Sequence, residues 1–228
     1  MDKNFKVRVT VGIMMFAIAM IALHIFNGVP FKILFGIFAL IAAIELLSFF
    51  KRKKGFRYLI LAIIELGILC YGTIFVAQTD VAHFWYVILG VPGYDIFAYL
   101  FGKAFGGKLF GKSRPFPKIS KNKTWEGTIL GLTMAIGLVA ILMAMRGGFG
   151  SDYIYLFCGP LALMGDLLES YIKRQFGVKD SNEIVIKNST FEKLEILVGG
   201  SEGHGGFLDR IDSTAFAGAA LIIISLFI

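Results

Sequence analysis

Two short stretches near the C-terminal end of this 228-residue chain place charged side chains where apolar ones dominate. The first reads Gly165-Asp166-Leu167-Leu168-Glu169-Ser170 and runs into Lys173-Arg174; the second contains His204-Gly205-Gly206 and continues to Asp209-Arg210-Ile211-Asp212. Helical residues three or four apart share a face, so Asp166 aligns with Glu169 and Ser170, and Asp209 aligns with Asp212. A charge near the centre of a membrane helix costs about 2.5 to 3.5 kcal/mol on insertion scales, so each one asks for a partner or a function. Two acidic faces near a membrane boundary suit hard cations, and magnesium in particular takes a few carboxylate oxygens together with waters and substrate phosphates. Lys173, Arg174, Lys179 and Arg210 carry charge complementary to a triphosphate. The plainer alternative is that these acids and bases pair to hold packed helices together.

A second polar block begins at Asp95-Ile96-Phe97-Ala98-Tyr99-Leu100-Phe101-Gly102, crosses a Gly- and Lys-rich stretch, and ends at Lys123-Thr124-Trp125-Glu126-Gly127. Glycines at 102, 106, 107 and 111 allow a backbone to approach a ligand closely, although a solvated loop has the same composition. A GxGxxG fingerprint does not occur, which argues against the common soluble dinucleotide folds. His24 and His83 read as helix-face and interfacial residues, whereas His204 is flanked by glycines and followed by acids. Glu45 and Glu65 each stand alone in an apolar run, where packing, a lysine partner and cavity lining are all open.

The elements that must position these residues are membrane helices. Hydrophobic residues make up 57% of the chain and charged ones 17%, a composition outside the range of soluble domains. Seven runs are long enough to cross a bilayer: Val9–Phe26, Pro30–Phe50, Phe56–Ala77, Val81–Phe101, Gly127–Met145, Asp152–Ile172 and Phe207–Ile228. The first follows a basic segment, lacks a small-residue cleavage pattern and reads as a retained helix. The expected fold is all-α, one integral membrane domain over residues 1–228, with N-terminal helices over 1–94 and catalytic helices and cytoplasmic loops over 95–228.

The net charge of +7 does not point to nucleic acid, because the basic residues lie in short connections between apolar runs. Of the 23 Lys and Arg, 20 fall in the N-terminal tail and in alternate connections. By the positive-inside rule this predicts a cytoplasmic N-terminus and places both long polar segments, 102–126 and 173–206, at the cytoplasmic face. Anionic lipid or nucleotide accounts for the basic charge. Cys70 and Cys158 sit in apolar runs and read as small hydrophobes. Nothing resembling the internal repeats of many transporters is present.

The ordered motifs resemble the phosphatidate cytidylyltransferases, also called CDP-diacylglycerol synthases. The signature of that family, a Ser, a Lys-Arg pair, a Lys-Asp pair, His-Gly-Gly and Asp-Arg-x-Asp, is matched by Ser170, Lys173-Arg174, Lys179-Asp180, His204-Gly205-Gly206 and Asp209-Arg210-Ile211-Asp212. Asp95, Ala98-Tyr99 and Gly102, followed by Lys123-Thr124-Trp125-Glu126-Gly127, also resemble family motifs in the expected order, so the likeness covers residues 95 to the C-terminus. The resemblance implies a multi-pass enzyme of the cytoplasmic membrane that converts CTP and phosphatidate to CDP-diacylglycerol and pyrophosphate, and it implies a homodimer. It implies Asp166 and Asp209 as leading magnesium ligands with Asp212 a third, for one cation or two. Lys173, Arg174, Lys179 and Arg210 become phosphate contacts. Asp95 and Lys123 to Glu126 become walls of a nucleotide or lipid pocket, and Ser170, Asp180, His204, Gly205 and Gly206 become substrate-binding residues.

The chain departs from the family pattern in two respects: it is shorter than many members, which leads one to expect fewer N-terminal helices, and one spacing between its motifs is longer. Residues 181–203 separate Lys179-Asp180 from His204, where the resemblance leads one to expect a short turn ending in Pro-Gly. Phe191, Leu194, Leu197 and Val198 give the extra stretch the pattern of a short amphipathic helix at a membrane surface. The same motifs also suit a cytidylyltransferase for an archaeal ether-lipid phosphate or a CTP-dependent polyprenol kinase. A membrane transporter would use intramembrane acids too, but would spread them through the membrane depth and break its helices at the midplane.

Overall fold

The computed structural model describes residues 25, 28–111, 113–148, 150–178 and 208–227. Among them the chain is all-helical. Lys179, Asp180, His204, Gly205 and Gly206, the span expected at Val9–Phe26 apart from Ile25, and the amphipathic stretch expected at 183–203 lie outside the described residues.

Among the described residues six α-helices follow in order: α1 (Val29–Arg52), α2 (Phe56–Gln78), α3 (Val81–Phe105), α4 (Trp125–Met145), α5 (Cys158–Phe176) and α6 (Leu208–Ser225). The apolar run expected as one span from Asp152 divides in two: a 3₁₀ segment over Gly150–Phe157 leads into α5. Glycines at 147, 148 and 150 with positive φ turn the chain before that segment, and Pro160 follows at the third position of α5. That position tolerates proline because a first-turn amide lacks a helical acceptor.

Helices α1 to α4 contain stretches long and apolar enough to cross a membrane, over Val29–Leu47, Phe56–Gln78, Val81–Phe105 and Trp125–Met145. They are apolar all round, as expected of helices that face both a protein core and lipid. Leu40, Ile63 and Ile141 stay exposed on their outer sides while Ala42, Leu69 and Ala135 face inward. In α6 the apolar stretch is shorter, Ile211–Ser225, and α5 is interrupted by its own charges.

Small residues let the helices approach closely, the usual solution where lipid removes the hydrophobic drive between them. A Cβ added to Gly131 of α4 would lie 2.8 Å from the Ala98 nitrogen of α3. A Cβ on Gly72 of α2 would lie 2.4 Å from the Ala215 Cα of α6. These contacts join α3 to α4 and α2 to α6; α5 and α1 complete the packing around α6.

Local chemistry sets the helix ends. The Asp80 carboxylate accepts the amide of His83 at 2.8 Å and caps α3, and Thr124 Oγ1 accepts the Gly127 amide at 3.0 Å and caps α4. Helix α5 stops at Gly177, in the left-handed region at φ 77, where the Val178 amide turns back to the Lys173 carbonyl at 3.0 Å. This is the glycine-terminated ending expected of a helix with Lys and Arg in its last turn.

Candidate active site

The end of the bundle where α3 stops and α4 begins holds a cavity of about 470 Å3. Its walls combine Asp95, Tyr99 and Lys103 of α3, Arg114, Asn122 and Lys123 of the connection, Thr124 and Thr128 at the start of α4, and Asp166 of α5. Lys123 forms the bridge at its floor, with Nζ 2.5 Å from Asp166 Oδ2 and 5.4 Å from the Tyr94 ring centroid. Ser170 Oγ donates to Asp166 Oδ1 at 3.4 Å, the one-turn spacing expected from the sequence. Burial of Lys123 is the largest influence and disfavours its charged form, but Asp166, Tyr94 and Asp95 together outweigh it and raise the pKa above the ordinary lysine value. The Asp166 carboxylate thus favours the cationic form of Lys123.

The connection that carries Arg114 is held by Glu126, whose Oε1 accepts the backbone amides of Gly107, Leu109 and Phe110, each at 3.0 Å. Glu126 is buried and is not among the residues that line this cavity. It anchors the loop that forms the wall. Trp125, expected in the pocket as well, packs on Phe110 with ring centroids 6.3 Å apart.

A second cluster lies between α5 and α6. Lys173 Nζ stands 2.6 Å from Glu169 Oε2 and 2.5 Å from Asp209 Oδ1. Glu65 of α2 is buried within electrostatic reach of Lys173. Asp212 is buried within reach of Asp166 and Asp95, and its Oδ1 accepts the Ser213 amide at 2.6 Å. Asp166 and Asp209, expected to act together, thus engage different lysines. Arg174 donates from Nη1 to the Val178 carbonyl at 2.9 Å. Arg210 stands in the first turn of α6 beside Asp209.

No three Asp, Glu, His or Cys side chains among the described residues stand together as a ready cage for a metal. Magnesium does not require one, since one or two carboxylates with waters and substrate phosphates complete its octahedron. Asp166, with one oxygen facing Lys123 and the other Ser170, is a donor of the right kind, and Asp95 lines the same cavity.

The family model for the Cytidylyltransferase family matches residues 68–186, just over half of the chain. The chain belongs to the cytidylyltransferase family. A phosphatidate cytidylyltransferase of Rickettsia bellii (strain RML369-C) is 32% identical over 210 residues, 85% of this chain and 81% of that protein. A phosphatidate cytidylyltransferase of Brucella abortus biovar 1 (strain 9-941) is 39% identical over 132 residues, 57% of this chain and 41% of its own length. One from Helicobacter pylori (strain J99 / ATCC 700824) is 39% identical over 130 residues, 56% of this chain and 42% of that protein. The match to the Brucella and Helicobacter proteins therefore spans about two-fifths of their length. The cytidylyltransferase match takes in Asp95, Lys123, Asp166 and Lys173 but ends before Asp209.

Several cavity residues were not singled out as site residues in the sequence. Arg114, Lys103, Ser120 and Asn122 belong there only to a basic and polar connection. The Gly- and Lys-rich composition marked the region, but only the fold around Glu126 turns these side chains toward one cavity.

Proposed function

We propose that this cytidylyltransferase-family protein is a phosphatidate cytidylyltransferase of the cytoplasmic membrane. A phosphate oxygen of the lipid attacks the α-phosphorus of CTP, the bond from that phosphorus to the bridging oxygen of the β-phosphate breaks, and pyrophosphate leaves. The lipid phosphate is already ionised, so no general base is needed, and catalysis consists of alignment and charge neutralisation. The observation that carries this reading is the Lys123–Asp166 pair at the floor of a cavity that also presents Lys103 and Arg114.

Each residue has a task in that scheme. Lys123 meets the triphosphate as a fixed cation, and Arg114 and Lys103 add positive charge at the wall. Asp95 and Thr124 shape the pocket, while Ser170 orients the Asp166 carboxylate. Lys173, held by Glu169 and Asp209, aligns α5 with α6, and Arg174, Arg210 and Lys179 contact phosphates. Asp166, Asp209 and Asp212 would hold magnesium, which supplies Lewis-acid neutralisation of phosphate oxygens when bound. Ser170, Asp180, His204, Gly205 and Gly206 complete substrate binding. Seven spans with a cytoplasmic N-terminus would keep acyl chains in lipid while the phosphate reaches the cavity from the cytoplasmic face.

The test is purified protein in mixed micelles with CTP labelled at the α-phosphate, magnesium and phosphatidate, following label into lipid together with pyrophosphate. Wild type is expected to label lipid only with magnesium present, and Asp166→Asn to lose roughly a hundredfold or more in rate, the scale of removing one electrostatic stabiliser. Parallel arms contain an ether-lipid phosphate and a polyprenol. Release of CDP with polyprenol would replace the reading with a kinase, preference for the ether lipid would change the substrate, and no product in any arm would sink it.

A further inference from the structure

Glu45 lies in α1, outside the residues that match the family model, and is 3% exposed. Its Oε2 accepts the backbone amide of Leu208 at 3.0 Å, across 163 residues of chain. Leu208 is the first residue of α6, is fully buried, and directly precedes Asp209. The first amides of a helix have no acceptor within it, and a carboxylate at that end also favours the helix dipole. Capping alone is served by a local Ser, Thr, Asn or Asp. An acid sent from another helix does something a local cap does not, because it fixes where α6 begins relative to α1. The same helix start carries Asp209, whose Oδ1 stands 2.5 Å from Lys173 Nζ, and Asp212, one turn further in.

We infer that Glu45 is a positioning residue: its carboxylate pins the first turn of α6 and so sets the depth and facing of Asp209 and Asp212 for the reaction. The inference rests on the reading of those two acids as members of the site. It depends on reach rather than charge, since the acceptor oxygen must arrive within hydrogen-bond distance of one amide. Gln keeps that reach without charge. Asp keeps the charge but stops one methylene short.

The experiment compares Glu45→Gln and Glu45→Asp with wild type, all purified as folded protein in detergent and assayed for lipid labelling. Amide exchange over a peptide containing Leu208 is read by mass spectrometry on the same samples. Glu45→Gln is expected to hold kcat within about threefold of wild type and to keep the amide protected. Glu45→Asp is expected to lose roughly tenfold in kcat, the scale of a small misplacement near reacting groups, with KM for CTP nearly unchanged and faster exchange at Leu208. A purely structural role would lower the yield or melting temperature of Glu45→Asp but leave kcat of the folded fraction at the wild-type value, which overturns the inference. The reverse order, with Gln impaired and Asp intact, overturns it in favour of a charge role. If wild type transfers no label in any substrate arm, the functional reading falls by itself, while exchange at Leu208 still decides the anchoring: equal protection in all three proteins refutes it.

Discussion

Lys173 shows how residue chemistry is divided in this protein. Buried against two carboxylates, it cancels charge that α5 and α6 would otherwise oppose across their contact. Removing one partner of a buried ionic cluster leaves the rest uncompensated, at about 3 to 5 kcal/mol. Lys173→Met is therefore expected to lower the unfolding free energy in detergent by that order, while Glu169→Gln, which leaves the Asp209 contact, costs less. Equal stability of Lys173→Met and wild type would show that the cluster contributes nothing to folding. The sequence showed that Asp166, Glu169 and Ser170 share a side of α5, and Ser170 does reach Asp166. It did not show that Asp166 and Glu169 turn to different lysines. At 3.6 residues per turn, positions three apart diverge by about 60°, enough to send one carboxylate to α4's approach and the other to α6.

Elements in this bundle are placed by what is missing from side chains as much as by what is present. Gly131 has Ala98 of α3 within 3 Å of where a Cβ would stand, whereas Gly137, farther along the same helix, has nothing within 4 Å. Gly131→Ala should therefore destabilise by about 1 to 3 kcal/mol through overpacking and disturb the cavity wall, while Gly137→Ala should be neutral or stabilising because alanine is the better helix former. Thermal unfolding of the two variants in one detergent checks the contrast, and equal melting temperatures would defeat it.

At the other end of α3, the backbone amide of His83 is the chief cause of a pKa for Asp80 below the ordinary carboxylate value, and the His83 ring adds to it. A folded pKa lowered in this way contributes stability that is present above the unfolded value and lost as pH falls through the folded one. The difference in melting temperature between wild type and Asp80→Asn should therefore be present at neutral pH and shrink below about pH 4, where the unfolded carboxyl titrates. A difference independent of pH would remove the charge from the argument. The His83 ring meanwhile spans Asp80 Oδ1 at 2.8 Å and Asp152 Oδ1 at 3.1 Å, tying the start of α3 to the 3₁₀ segment.

At the scale of the whole molecule, helices α1 to α4 supply the apolar length and the polar chemistry gathers at one end, so sidedness is the property to measure. The connection holding Lys108 and the turn holding Gly147 lie at opposite ends of α4. With Cys70 and Cys158 replaced, a cysteine at Gly147 should react with an impermeant maleimide in intact cells, and a cysteine at Lys108 only after the membrane is opened. The reverse pattern would invert the orientation read from the basic residues.

By itself the sequence determined the class of protein, the helices over Pro30–Phe50, Phe56–Ala77, Val81–Phe101 and Gly127–Met145 to within a turn, and the motifs that mark the cytidylyltransferase family. Those properties are local: bilayer length fixes span length, and motif spacing is covalent. Only the tertiary structure decided that Glu126 anchors the loop over Gly107 to Phe110, that the run from Asp152 divides into a 3₁₀ segment and α5, that Glu45 reaches Leu208, and that Lys103 and Arg114 share a cavity with Asp166. Each of these depends on which residues distant in the chain become neighbours. An isolated acid in an apolar run signals that it must have a partner, but the identity of that partner is set by helix packing, which hydropathy does not encode.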